Sequence, residues 1–333
     1  MVEQNKGMSD LWRRLRFVFM AIVVYRLGTH IPIPGIDAAR LAALFDQNQG
    51  TILEMFNLFS GGALERMSIF ALNVVPYISA AIIMQLFSNS IPYLKELKKD
   101  GQAGRNQITQ YTRYGTVVLA FVQASALAVT LGASGLAYDP GISFFISAVF
   151  SVVAGTIFLM WLGEQISERG IGNGISIIIA TSILTGIPGA IGQALEQARQ
   201  GDLNILLLLG IGVLAMLVIA VVVFIERGQR RITVNYAQRQ QGRKLMQAQA
   251  SHLPFKVNMA GVIPAIFAST FLLFPASLST WFGQAESFGF LQTISLALNP
   301  GQPLYILTFS ALIISFCFIW LALTFDTKEV TDN

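Results

Sequence analysis

Residues 203–225 read LNILLLLGIGVLAMLVIAVVVFI and contain no charged side chain. A run of about 20 apolar residues is long enough to cross the hydrocarbon core of a membrane as a helix. The rest of the chain is similar, since 54% of its 333 residues are hydrophobic, only 12% are charged and the mean hydropathy is +0.60. So little charge cannot cover the surface of a soluble globule of this size. The composition therefore indicates an integral membrane protein and argues against a disordered chain or a soluble enzyme.

Seven more runs of similar length have the same apolar character, so the sequence predicts eight membrane-spanning helices. The predicted spans are residues 16–34, 68–88, 109–131, 142–162, 171–189, 203–225, 257–282 and 303–325. Of the 22 lysines and arginines, only Arg40, Arg66 and Arg199 fall in the alternate connections that begin after the first span. Because basic residues collect on the cytoplasmic side of a membrane, this alternation predicts a cytoplasmic N-terminus.

The external connection after the first span contains a short apolar helix. Residues 51–63 read TILEMFNLFSGGA, in which Ile52, Met55, Phe56 and Phe59 fall at helical spacing before the break at Gly61-Gly62. Such a segment is too short to span a membrane. It either lies on the outer leaflet as an interfacial helix or folds back into a cavity between the spans, where protein or water surrounds its backbone.

The connection between the sixth and seventh spans, about residues 226–256, is long and strongly basic. It carries seven basic residues and one acidic residue, and Ile232 to Tyr236 between the basic clusters suggest a short strand. Positive-inside bias together with lipid headgroup contact explains the sign of the charge. Many of the arginines lie far from the span ends, however, which favours docking of a phosphate-rich or acidic macromolecule.

The sequence shows no residue pattern typical of a catalytic site, a metal site or a cofactor site. His30 and His252 are far apart in sequence, and Cys317 is the single cysteine and lies in an apolar run. Residues 170–174 read GIGNG without a Walker lysine, so they predict a tight turn between spans. Arg26 is the clearest charge within a span, and the scarcity of carboxylates there argues against a charge-coupled transporter. An eight-span solute transporter and a membrane-embedded enzyme stay as the alternatives.

Several specific strings, in order along the chain, resemble the SecY family, the pore-forming subunits of the Sec protein-conducting channel. These strings are IPIPGID at 31–37, FSGGAL at 59–64, QYTRYG at 110–115, WLGEQI at 161–166, ERGIGNGIS at 168–176, ERGQRR at 226–231 and KVNMAGVIPAIFA at 256–268. The resemblance runs from the first predicted span to the eighth and looks closest to proteobacterial members.

The resemblance implies an all-α polytopic bundle built as an inverted repeat of two halves around a pore. Members of the family have ten spans, of which this sequence would carry the first eight. Residues 1–189 would form the first half with spans one to five, and residues 190–333 part of the second half with the cytoplasmic loop. The short helix at about 52–65 would be the plug that closes the external funnel at rest, re-entering between the spans.

The resemblance also assigns site residues, and the branched side chains involved are able to dewet a pore. The constriction ring would consist of Val74, Ile78, Ile175, Ile179 and Ile266. The lateral gate, between spans two and three and spans seven and eight, would use Ser79, Gln123 and Thr270. The plug would include Ile52, Met55, Phe56, Phe59, Gly61 and Gly62, and the docking loop Arg231, Arg239, Arg243 and Lys244.

The function that the resemblance implies is passage of unfolded secretory polypeptides across the membrane and lateral release of membrane-protein segments into it. The chain would be neither an enzyme nor a cofactor or metal protein, and its energy would come from its partners. The implied partners are SecE, SecG, the motor ATPase SecA, the ribosome, polypeptides that bear signal sequences, and membrane lipid, with ribosomal RNA contacted only through the docked ribosome. The implied location is the bacterial cytoplasmic (inner) membrane.

Overall fold

The computed structural model describes residues 2–37, 40–41, 45, 57, 60–201, 204–235, 240–241, 244–245, 250–269, 271–272 and 302–324. The described part of the chain is mostly helical. Its helices are α1 (Val2–Gly28), α2 (Val75–Ser90), α3 (Pro92–Lys99), α4 (Gly101–Ala133), α5 (Ile142–Arg169), α6 (Gly174–Gln200), α7 (Ile205–Arg227) and α8 (Pro303–Thr324). Residues 263–269 are helical as well.

Five helices within the described ranges are long and apolar enough to cross a membrane. They are Gly101–Ala133, Ile142–Arg169, Gly174–Gln200, Ile205–Arg227 and Pro303–Ala322. They correspond to the third, fourth, fifth, sixth and eighth predicted spans, which are confirmed as apolar helices of spanning length. The first predicted span lies mostly in α1, which ends at Gly28 rather than at residue 34. The seventh lies partly outside the described residues.

The second predicted span is only partly helical. Residues 68–74 form turns, and the helix α2 starts at Val75 and is 16 residues long, so the expectation of a continuous helix from residue 68 is wrong. Pro76 lies in the first turn of α2, where its missing N–H costs no helical hydrogen bond. Just before it, Asn73 has a φ of 50°, a left-handed conformation that interrupts any helix arriving from residue 68.

The irregular backbone of residues 61–74 has no helical ladder, and its hydrogen bonds run partly to the extended chain after α1 and partly within its own turns. Ile33 N donates to Met67 O at 2.9 Å, Ile69 N donates to Ile31 O at 3.1 Å, and Ser68 N donates to Ala63 O at 2.8 Å. Backbone at membrane depth needs such partners, because no water is present there to replace them. The extended chain after α1 therefore acts as the pairing edge for this segment.

Helix α4 packs against α2 and α5 through a row of small side chains at four-residue spacing. The buried members of this row are Thr112, Thr116, Ala120, Ala124 and Ala128. Side chains this small allow the helix backbones to approach closely, which is how membrane helices gain packing energy in the absence of a hydrophobic driving force.

Helix α5 comes close to the irregular segment at Gly155. A Cβ placed at Gly155 would lie 1.9 Å from the carbonyl oxygen of Ile69. No side chain can occupy that position without displacing the backbone of residues 68–74.

Replacing Gly155 with alanine is therefore expected to lower the thermal unfolding temperature of the detergent-solubilised protein, because the added methyl group meets a backbone atom that cannot rotate away. The expected loss is about 1–3 kcal/mol, the usual cost of overpacking. Gly210→Ala in α7 is the matched control, since a Cβ there meets nothing within 4 Å. Equal unfolding temperatures for the two variants would contradict the close approach of α5.

The basic connection after α7 folds as an antiparallel hairpin. Strand β1 (Gln229–Asn235) pairs with β4 (Ala250–Lys256), and the short strands β2 (Gln240–Gln241) and β3 (Lys244–Leu245) pair between them in the chain. The short strand predicted from residue 232 is confirmed as far as Asn235. Val257 N donates to Gly228 O at 3.0 Å, and Asn258 Nδ2 donates to Glu226 Oε2 at 3.2 Å, so the base of the hairpin is fixed to the end of α7.

The chain divides into two compact units. The first unit contains residues 1–190 and 267–312, and the second contains residues 191–266 and 313–333. The first unit holds α1 to α5 and most of α6, and the second holds α7 and the hairpin. The division into halves at residues 189 and 190 stays a prediction.

Candidate functional site

Four of the five predicted ring residues lie together in one apolar cluster of the first unit. Val74 is 2% exposed and belongs to the buried cluster, against which the partly buried side chains of Ile78, Ile175 and Ile179 pack. Ile266 belongs to the second unit. The structure thus brings branched aliphatic side chains from the start of α2 and the start of α6 to one place.

The start of α6 packs closely against α5 because both helices have a glycine at the contact, Gly174 in α6 and Gly163 in α5. A Cβ at Gly174 would lie 1.9 Å from the carbonyl oxygen of Gly163, and one at Gly163 would lie 2.4 Å from Cδ1 of Ile175. Ser167 Oγ also accepts a hydrogen bond of 2.8 Å from Gly174 N. The tight turn predicted for residues 170–174 is confirmed, and it brings Ile175 directly onto α5.

The same turn is bound by the first helix. Arg14 Nη1 donates to Gly170 O at 3.4 Å, and Arg14 Nε donates to Asp10 Oδ2 at 3.1 Å. The hydrogen bond from Arg14 holds the pKa of the Asp10 carboxyl below its ordinary value. A basic side chain in the middle of α1 thus contacts the turn that leads into α6.

The Gly-Gly segment, defined here as Asn57 together with residues 60–66, is a compact turn seated on the same apolar cluster. Gly61 and Gly62 have φ values of 67° and 79°, conformations that favour glycine. Gly62 N donates to Asn57 O at 3.0 Å, and Glu65 N donates to Asn57 Oδ1 at 3.0 Å. Ala63 is fully buried in the cluster. The predicted plug residues Ile52, Met55, Phe56 and Phe59 lie outside the described residues.

A buried polar network ties the Gly-Gly segment to α1 and α6. The Tyr25 hydroxyl lies 2.6 Å from Ser182 Oγ and 3.2 Å from the carbonyl oxygen of Ser60. Asn73 Nδ2 donates to Ser182 Oγ at 3.1 Å, and Arg26 Nη1 donates to Gly61 O at 2.9 Å. In the sequence, Arg26 stood out as a charge within a span, whereas Tyr25, Ser60 and Ser182 did not. Hydroxyl groups are common in apolar runs, so no sequence signal marked these three.

Among the described residues, no hydrogen bond joins the predicted gate residues to one another. Ser79 Oγ donates to Val75 O at 3.0 Å within its own helix, and Gln123 is partly buried on α4. Helices α2 and α4 pack together, with a Cβ at Gly115 falling 3.5 Å from Cβ of Ala80. Thr270 lies outside the described residues. The polar seam therefore stays a prediction.

A bidentate ion pair joins α4 to α5. Arg113 Nε and Nη2 donate to the two carboxylate oxygens of Glu164, each at 2.8 Å. The Glu164 side chain is 18% exposed and that of Arg113 is 46% exposed. Arg113 lies inside α4, which begins at Gly101 rather than at residue 109, where the predicted span starts. The paired geometry is the strongest that arginine and a carboxylate form.

Replacing Arg113 with glutamine is expected to lower the free energy of unfolding by about 1 kcal/mol, a value reduced by the partial exposure of the arginine. Thermal unfolding in detergent would measure it. The control is Arg199→Gln, because Arg199 is 82% exposed and its contact to Glu196 is 3.5 Å long. A loss at Arg113 no larger than the loss at Arg199 would show that the ion pair does not hold the two helices.

The hairpin presents cationic side chains to solvent. Arg230 and Arg231 on β1 are exposed, as is Lys256 at the end of β4. Among the described residues, none of the ion pairs involves these three side chains. Lys244 lies on β3, whereas Arg239 and Arg243 lie outside the described residues. Sequence reasoning chose Arg231 but omitted its exposed neighbour Arg230.

The helices and the apolar cluster define a class of protein, a polytopic α-helical membrane protein with the fold of a protein-conducting channel. A solved structure described as "The structure of a protein conducting channel" matches with a TM-score of 0.58 at 20% identity, over 82% of this chain and 59% of that one. Canine Sec61 from the ribosome-channel complex of the endoplasmic reticulum matches with a TM-score of 0.56, also at 20% identity and over the same shares. The chain therefore spans less than two thirds of either solved chain.

The family profile described as SecY matches residues 68–333. The protein translocase subunit SecY of Pseudomonas aeruginosa is 63% identical over 329 residues, covering 99% of this chain and 74% of that protein. This chain belongs to the SecY family, and it is a translocation-channel protein with several apolar spans rather than an enzyme.

Proposed function

We propose that the protein forms a pore through which unfolded polypeptides cross the membrane, with the apolar ring as its constriction. The observation that carries the proposal is the meeting of Val74, Ile78, Ile175 and Ile179 in one cluster, which Ala63 of the non-helical Gly-Gly segment also joins. Secretory polypeptides and membrane-protein segments are the proposed substrates, by analogy with the translocase relatives.

The chemistry of this cluster suits a passing polypeptide. Branched aliphatic side chains offer no fixed charge or hydrogen-bonding group that would hold a particular sequence. They also exclude water from a narrow opening, which limits ion leak while no polypeptide is present. Ile78, Ile175 and Ile179 are partly exposed within the first unit, so they retain surface with which to contact a chain.

A photo-crosslinking amino acid at position 78 is expected to react with ribosome-bound nascent chains that carry a signal sequence and not with chains that lack one. The intact protein in its native membrane would be used, because the ring requires the whole channel. The control probe replaces Val218, a 50% exposed residue of the apolar helix α7. Absence of a crosslink from position 78, with ribosomes bound, would contradict the pore and favour a solute transporter.

The hairpin is the proposed cytoplasmic docking surface for the ribosome or for SecA. Its support is the exposed, unpaired cationic surface of β1 among the described residues, held on α7 by the bonds at Gly228 and Glu226. Ribosomal RNA presents phosphates that arginine binds in a bidentate way. The Sec61 relative was solved in a ribosome-channel complex, which supports a partner of this kind.

Reversing the charge at Arg230 and Arg231 to glutamate is expected to weaken ribosome binding by about tenfold or more and to flatten its salt dependence, because phosphate contacts release counterions. Sedimentation of ribosomes with the reconstituted protein at several salt concentrations would measure both quantities. Arg105→Glu, an exposed residue in the first turns of α4, is the control for net charge. An unchanged affinity and slope would exclude the hairpin as the docking surface.

The remaining assignments follow from the resemblance to the family. SecE and SecG are the proposed stable subunits, SecA the motor, and the bacterial inner membrane the location, with the N-terminus in the cytoplasm. The charge alternation of the connections supports that orientation. Lateral exit past Ser79, Gln123 and Thr270 is likewise proposed, with the packing of α2 on α4 as its support in the first unit.

A further inference from the structure

The hydroxyl of Tyr25 has one proton and two acceptors within reach. One acceptor is Ser182 Oγ on α6, at 2.6 Å, and the other is the carbonyl oxygen of Ser60 in the Gly-Gly segment, at 3.2 Å. Tyr25 is 1% exposed, Ser182 is 0% exposed and Ser60 is 2% exposed. Because water does not reach them, these groups must satisfy one another.

Ser182 is able to act as either donor or acceptor toward Tyr25. Its hydroxyl lies 2.9 Å from Ile178 O in its own helix, a carbonyl to which it donates when it accepts from Tyr25. Asn73 Nδ2 donates to the same oxygen at 3.1 Å. A hydroxyl has one proton and two lone pairs, so Ser182 can also turn its proton toward Tyr25 while it accepts from Asn73.

The network therefore has two satisfied arrangements. In the first, Tyr25 donates to Ser60 O and accepts from Ser182, and the Gly-Gly segment is bound. In the second, Tyr25 donates to Ser182, Ser182 donates to Ile178 O, and the carbonyl of Ser60 is free to leave. The buried Tyr25 hydroxyl has a partner in both arrangements. An unsatisfied buried hydroxyl would cost free energy and so oppose departure of the segment.

We propose that Tyr25 and Ser182 are positioning residues that exchange one hydrogen bond to hold or release the Gly-Gly segment, and so set how readily the resting pore opens. This inference rests on the proposed channel function. Tyr25 holds the segment by its hydrogen bond to Ser60 O. Ser182 supplies the substitute acceptor that lowers the free-energy cost of releasing the segment. The bond from Arg26 to Gly61 O adds to the hold without being part of the exchange, because the arginine is only partly buried and can be solvated.

The two residues should thus affect opening in opposite directions. Tyr25→Phe removes the bond to Ser60 and is expected to raise the resting ion conductance about fivefold, the factor for one net hydrogen bond. Ser182→Ala leaves Tyr25 with Ser60 O as its acceptor, so resting conductance and the rate of precursor translocation should fall by a similar factor. The double variant should behave like Tyr25→Phe.

The experiment records the conductance of the intact protein in planar bilayers, and the translocation rate of a signal-bearing precursor into proteoliposomes. Thr116→Val is the matched control, because it removes a fully buried hydroxyl that, among the described residues, donates to Thr112 O of its own helix. Unfolding temperatures of all variants are measured alongside. If Ser182→Ala does not fold, Ser182→Cys repeats the test with a weak acceptor of similar volume.

Opposite changes at Tyr25 and Ser182, with Thr116→Val like the wild type, would support the exchange. Changes of the same sign at both residues, or none beyond the control, would overturn it and leave the network a packing contact. A wild-type protein that translocates no precursor and opens no conductance would instead overturn the proposed channel function, and the exchange with it.

Discussion

Backbone hydrogen bonding at membrane depth is the constraint on which the rest of the first unit depends. Residues 61–74 are not helical, so their N–H and carbonyl groups must find partners outside a helical ladder. Turns within the segment supply some of these partners, and Ile31 and Ile33 after α1 supply two more. Helix α5 leaves room for this backbone at Gly155. Without those partners the turn before α2 would not be tolerated, and α2 could not begin where it does.

The irregular segment of residues 61–74 brings an apolar cluster and a polar network together at the site. Ending the turns at Asn73 places Val74 and Ile78 in one apolar cluster with the aliphatic side chains of α6 that belong to the proposed ring. The same turns bring the carbonyl of Ser60 to the hydroxyls of Tyr25 and Ser182. The proposed constriction and the polar network thus share one support, so movement of the Gly-Gly segment would alter both.

The second unit places an apolar helix and a cationic hairpin one after the other along its chain. Helix α7 carries no buried side chain over its length, as expected of a helix whose solvent is lipid. The hairpin that follows is held at its base by Gly228 and Val257 and exposes Arg230 and Arg231 on a regular strand. A paired strand keeps these cations at fixed spacing, which a flexible basic loop would not do.

Composition and run length determined the membrane class, five helices of spanning length and the tight turn at Gly170–Gly174, because these depend on local apolarity and glycine alone. The resemblance to the family predicted the ring residues, and in the structure four of them lie in one cluster. The break before α2, the ion pair of Arg113 with Glu164 and the network of Tyr25, Ser60 and Ser182 were decided only by the tertiary structure. Each depends on which distant backbone or hydroxyl comes within about 3 Å, the range of a hydrogen bond, and a linear sequence does not contain that distance.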